Sequence, residues 1–217
     1  MIELLKQNIE TILNGKSFIR EDAGIYSRMQ YPKFLPLMNF YVDRYEDKGK
    51  LHLMIMHTKT KMGMELLTMS FMPQGITVPY LLIDAMTMKK TRCVFVEYYG
   101  CGREDFPDER LKEVHERYGR LPDYAEKENW YISERRPYSL IKTGEEEELL
   151  QMSADSVKAY LDCLAQAPFD PDYEKQLAAF RDRMIIEGNP SSKTLEMLLK
   201  KDGAVRFMKD VVMPIGE

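Results

Sequence analysis

Cysteine is scarce in this sequence: Cys93, Cys101 and Cys163 are an odd, widely spaced set with no CxxC pair. That excludes a disulfide framework and favours a reducing, cytoplasmic setting. Long apolar runs are missing too, and none approaches the roughly 18 residues of a membrane span. The stretch MIELLKQNIETILNG carries Glu3 and Glu10 where a signal peptide would be apolar. The expectation is a soluble, cytoplasmic protein. Charge of one sign is also in short supply. Lysine and arginine total 31 against 35 acidic residues, a net −4, which argues against general affinity for nucleic acid or an anionic membrane.

Common catalytic signatures are missing as well. There is no HExxH, no GxSxG and no phosphate loop. His52, His57 and His115 have no metal-ligand spacing and read as ordinary surface or core histidines. In YGCGRED, Gly100 and Gly102 lack the third glycine of a dinucleotide fingerprint. Tyr138 and Lys142 have a YxxxK spacing, but in a strand-like run without a nucleotide-binding unit, so chance explains it. No internal repeat, low-complexity tract or linker interrupts the chain.

What is present is enough for a sizeable core. Apolar and aromatic residues make up 44% of 217 residues, a length that suits one domain or at most two. Ile2, Leu5, Ile9, Ile12 and Leu13 recur at helical spacing before an Asn14-Gly15 stop. Five β-rich runs follow: Leu37–Tyr45, Lys50–Thr58, Gly63–Met72, Pro79–Met88 and Thr91–Tyr99. The breaks between them are too short for parallel crossovers, so the runs are expected to be antiparallel neighbours. Several are apolar on both parities, as a sheet covered on both faces requires. Methionines on these strands (Met54, Met56, Met64, Met69, Met86) are read as core filling, although a flat ligand would also find them soft.

Helical patterns then resume. Leu111, Val114 and Tyr118 form one stripe, and Val157, Tyr160, Leu161 and Leu164 another. Arg136–Thr143 reads as a possible further strand. Glu145–Glu148 suits a solvated helix start. Asp170 and Pro171 read as N-cap and first helical residue of a helix whose stripe is Tyr173, Leu177, Phe180 and Met184. Leu195, Leu198 and Leu199 are expected to stop at Gly203, before Val205, Met208, Val211 and Val212. Strands followed by helices indicate α+β: one antiparallel sheet with helices on both faces.

Within that frame VPYLLIDAMTM poses a chemical problem. Asp84 lies in the middle of an apolar strand, sharing a face with Tyr80, Leu82, Met86 and Met88. A hairpin at Lys89-Lys90 pairs Met88 with Thr91 and Leu82 with Glu97, and sets Asp84 opposite Phe95. Glu97 is then diagonal to Asp84, roughly 7 Å away. Two carboxylates on one apolar face raise at least one pKa, and an acid still protonated near neutrality is a usable proton donor. Pattern alone equally allows a bulge, or an acid accepting backbone bonds where the strand emerges.

Four stretches resemble the ferredoxin-dependent bilin reductases and, more distantly, red chlorophyll catabolite reductase: TMSFMPQGITVPYLLIDAM, VFVEYYG, ENWYISERRPYSLIKTG and GNPSSKTLEMLLKKDGAVRFMKDVVMP. They span about Lys50 to Pro214 in the family's order. The resemblance implies a divergent member with a single domain over residues 1–217. It implies a three-layer α/β/α sandwich and a linear tetrapyrrole held between the sheet and the C-terminal helices. It further implies single electrons from an external reduced ferredoxin, with no bound metal or flavin. Asp84 matches the family's catalytic aspartate, and Glu97 an acid on the following strand. Thr68 stands where some members carry a histidine. Ser192 stands near the family's second acid, and Lys193 would pair with a propionate. Thr68, Glu97, Ser192 and Lys193 are therefore the expected substrate-binding residues. Lys89, Lys90 and Arg92, or Lys200 and Lys201, would form a docking patch for the acidic ferredoxin. Two other readings stay open: a non-catalytic protein binding a bilin or haem on the same scaffold, and an unrelated antiparallel-sheet flavoprotein.

Overall fold

The five long β-rich runs, joined by short breaks, form a single antiparallel sheet. In the computed structural model, which describes residues 1–89 and 91–216, eight strands form it. They are β1 (Ile19–Glu21), β2 (Arg28–Tyr31), β3 (Met38–Asp47), β4 (Leu51–Thr60), β5 (Met64–Pro73), β6 (Tyr80–Met88), β7 (Thr91–Tyr99) and β8 (Leu140–Thr143). The spatial order is β1-β3-β4-β5-β6-β7-β8, with β2 also paired to β3. The five long strands lie within two residues of the expected runs. The expected hairpin register holds too, with Met88 opposite Thr91, Asp84 opposite Phe95 and Leu82 opposite Glu97. Lys90 lies outside the described residues.

Two strands were not expected from the sequence. β1 and β2 are only three and four residues long and are paired only along β3, so neither run is long enough for its pattern to mark a strand. The β3–β4 hairpin turns through Lys48 and Gly49, both at positive φ (40° and 74°), a conformation that glycine adopts without a Cβ clash.

Helices cover both faces. α1 (Ile2–Asn14), α2 (Glu109–Tyr118) and α3 (Glu146–Gln166) share one core with Leu53, Ile55, Leu67, Ile83 and Val96 of the sheet. On the other face, α4 (Pro171–Ile186), α5 (Ser192–Phe207) and a π turn at Met208–Val212 pack with Phe40, Met54, Met56, Tyr80 and Tyr99. The result is a three-layer α+β sandwich. The Asp170 side chain accepts from the Asp172 amide, and Pro171 opens α4, as the sequence indicates. Its stripe of Tyr173, Leu177, Phe180 and Met184 is buried.

The stop expected at Gly203 is a correction. The break lies at Lys200, with φ 63° and ψ 169°, and Gly203 sits inside the next helical stretch. A Cβ at Gly203 would approach Leu199 Cβ to 3.0 Å, so this glycine permits close packing rather than ending a helix. Among the described residues, no helix is long and apolar enough to cross a membrane.

Candidate functional site

Between the sheet and the α4–α5 layer the packing opens into a cavity of about 380 Å³, within the usual range for small-molecule sites. Its floor is one face of β3 to β7. Eight methionines line it, half of the chain's 16, among them Met54, Met56, Met86 and Met208. Met54 and Met56 therefore form cavity wall as well as core, Met64 and Met86 line the cavity, and Met69 packs in the opposite core. Thioethers are soft and adaptable, which suits a wall that contacts a flat π system. A larger hollow of about 580 Å³ lies at the β3 edge beside α1. There Lys6 and Arg20 are both paired to Asp43, so its charges satisfy one another.

Asp84 is in the middle of the cavity floor, on β6 between β5 and β7. Thr68 is directly opposite on β5, and its hydroxyl donates to Asp84 Oδ1 at 2.5 Å. The Asp84 side chain is half-buried, and the part left open borders the cavity. Burial pushes its carboxyl up to about 6, against the opposing effects of the Thr68 hydrogen bond and the Arg135 charge. At neutral pH a fraction of molecules therefore keeps the proton.

Glu97 on β7 is buried, and it sits diagonal to Asp84 as the register requires. Burial pushes it up to about 7; Arg135 pulls the other way, and Asp84 adds to the rise. Contact with Arg135 does not restore an ordinary carboxylate, because that guanidinium is shared. Arg135 Nη1 and Nη2 donate to the Glu126 carboxylate at 2.6 and 2.8 Å, and Nη2 also pairs with Glu97. The Tyr99 hydroxyl donates to Glu97 Oε1 at 2.9 Å.

Irregular chain positions these partners. Arg135 bridges to Tyr99, and the Arg136 amide donates to Tyr98 O at 2.7 Å, which seats the segment beside β7. Glu126 follows Tyr124, whose amide bonds Ile141 O of β8 at 3.0 Å. The single tryptophan ties this segment to the helical layer. Trp130 Nε1 donates to Gly188 O at 2.9 Å, and Arg183 lies 4.2 Å over its ring. Ser70 of β5 donates to Val212 O at 2.5 Å and holds the π turn against the sheet.

Asp84, Thr68 and Glu97 thus come together, whereas Ser192 and Lys193 do not join them. The wall from α5 and its approach is Ser191, Thr194 and Leu195, beside Asn189. Ser191, the N-cap of α5, and Thr194 and Leu195 within it are spaced i, i+3, i+4, one helical face. Ser192 lies off that face and its hydroxyl accepts from the Asn189 amide at 2.8 Å, while Lys193 is exposed. Sequence reasoning missed Arg135, Glu126, Tyr99 and Tyr131 of the lining. The paired arginines of SERRPY, next to a candidate acid strand, were the available signal. Lys142, set aside in the sequence, is structural: it is buried, with Nζ donating to Gly119 O, Leu121 O and Asp123 at 2.6 to 3.0 Å. Among the described residues no three His, Cys, Asp or Glu side chains gather as a metal site.

No model of a known protein family matches the chain, and neither does any curated protein. Among solved structures it is similar to phytochromobilin synthase from tomato, in complex with biliverdin. The TM-score is 0.73 at 13% identity, over 97% of this chain and 81% of that one. The chain has the bilin-reductase fold. At this identity the likeness is one of architecture, and the chemistry must be argued from the cavity.

Proposed function

We propose that the protein is a reductase of a bilin or related linear tetrapyrrole. The observation that carries the reading is Asp84: a half-buried carboxyl with a raised pKa on the floor of a methionine-lined cavity. The cavity lies between the sheet and α4–α5, on a fold shared with a biliverdin-bound protein. Reducing one double bond takes two electrons, delivered singly by two reduced ferredoxins, and two protons. The electrons need no group bound by this chain. Asp84 supplies a proton to the pigment or to the radical formed from it, and is reprotonated from water entering at the mouth. Thr68 fixes the orientation of the carboxyl, and Glu97 beside it raises the cost of ionising both acids.

Purified protein mixed with biliverdin should shift the pigment's visible absorption, and reduced ferredoxin should then convert it. A protein that leaves the biliverdin spectrum unmoved does not have this function. One observation favours a second reading, a tetrapyrrole-binding protein without turnover. Thr68 can donate a hydrogen bond to Asp84 but does not titrate at accessible pH, so it cannot hold a proton as an imidazole would. Binding that persists without conversion, under any electron donor, selects that reading.

A further inference from the structure

The charged groups on the cavity wall are unequal in number. Three carboxyl groups, Asp84, Glu97 and Glu126, line it, and among the described residues Arg135 is the one cation that does. That guanidinium is already engaged, with Glu126 on both terminal nitrogens and Glu97 on one of them. Its Nε is buried without a partner. The opposite wall offers Asn189, Ser191 and Thr194, which are neutral. A ligand carboxylate entering here would lose its water and meet an excess of negative charge, with no free cation to receive it. Pyrrole N–H groups and protonated ring nitrogens, by contrast, are donors for which Asp84 and Glu97 are acceptors.

We propose that this cavity excludes carboxylates: it takes a neutral or cationic ring system against Asp84 and Glu97, and any acidic side chain of the ligand stays outside the wall. Arg135 is then a positioning residue that holds two of the chain's own acids and is withheld from the ligand. The inference rests on the tetrapyrrole reading, and one comparison separates the two. The full chain is titrated by absorption with biliverdin, which carries two propionates, and with its uncharged dimethyl ester. The expected result is an ester bound at least as tightly as the diacid. A diacid bound more than about threefold tighter overturns the inference and leaves the tetrapyrrole reading standing. If neither compound binds, both fall. Glu126→Gln frees one side of Arg135 and should move the ratio of the two constants about tenfold toward the diacid. A correctly folded variant with an unchanged ratio overturns the inference as well.

Discussion

On one face of β6, Leu81, Ile83 and Ala85 are sealed against the α1–α3 layer with essentially no exposure. On the other, Tyr80, Leu82, Asp84 and Met86 of the same strand border a cavity with three acids and one arginine. The backbone, the hairpins and the register are shared, so the difference lies wholly in alternate side chains and in what covers them. The sealed face gains from apolar burial and close packing. The cavity face forgoes some of that packing and places ionisable groups where water is scarce. Two carboxyls with raised pKa values follow from this arrangement, and the proposed proton donation rests on them.

The largest test of the contrast removes the acid and keeps its shape. Asp84→Asn should lower conversion of the pigment by about 10²–10⁴-fold, the usual contribution of a positioned proton donor. Pigment affinity should change little. The unfolding temperature above neutral pH should hold or rise, since an ionised Asp84 is a cost there. Turnover within tenfold of wild type would assign the proton to another group.

Next in size is the arginine. Arg135→Met leaves Glu97 buried beside an apolar chain and the half-buried Glu126 without its partner, a loss of about 3–5 kcal/mol for breaking the buried pair. The pH dependence has a definite sign. The folded-state pKa of Glu97, about 7, already exceeds the ordinary carboxylate value, so its contribution to stability is present at low pH and lost as pH rises through 7. Without Arg135 that pKa climbs further, and the penalty should grow between about pH 5.5 and about pH 8. Denaturant melts at those two pH values check it, and equal penalties at both would count against a charged Glu97–Arg135 pair.

A smaller, matched pair sharpens the comparison between faces. Ile83→Ala in the sealed core should cost about 2–5 kcal/mol and leave pigment affinity unchanged. Met86→Ala, three residues along on the cavity wall, should cost less, at most about 2 kcal/mol, because part of its surface has no packing partner to lose. It should weaken pigment binding instead. Similar stability losses at both positions would mean that the cavity collapses in solution.

The same contrast explains how much could be read beforehand. Strand register was legible because one period governs both faces and the turns leave little slack. Asp84 and Glu97 were legible because acids in apolar runs break a pattern. Arg135 and Glu126 were not, since both lie in irregular chain whose position depends on Trp130 reaching Gly188 and on bridges to β7 and β8. None of those contacts leaves a periodic trace. Ser192 and Lys193, which the motif resemblance assigned to the site, lie off the cavity wall by helix phase, since the 3.6-residue turn carries Ser191, Thr194 and Leu195 to it. A charged residue beside a candidate site is a weaker guide than the helical face it occupies.

Thr68→Val is the mildest change, and it isolates the part of the cavity face that tunes Asp84 rather than creates it. The hydroxyl donates to the carboxyl, so its removal takes away one of the two influences that hold the pKa down. Hydrogen bonds to charged groups contribute about 1.5–3 kcal/mol, and 1.36 kcal/mol corresponds to one pKa unit. The pKa should therefore move up from about 6 by about one to two units. A donor with a higher pKa keeps its proton further into the alkaline range. The high-pH limb of the rate profile should then shift upward with it, while the maximum rate falls through poorer orientation of the carboxyl. The stability sign runs the same way: with the folded pKa raised further, stability at low pH is retained and its loss on ionisation extends over a window that ends higher. A profile whose limb stays in place while the rate drops would make Thr68 an orienting group alone. A limb that moves down would mean that the hydroxyl serves the protonated acid, and that Asp84 is held ready by burial without help from its neighbour.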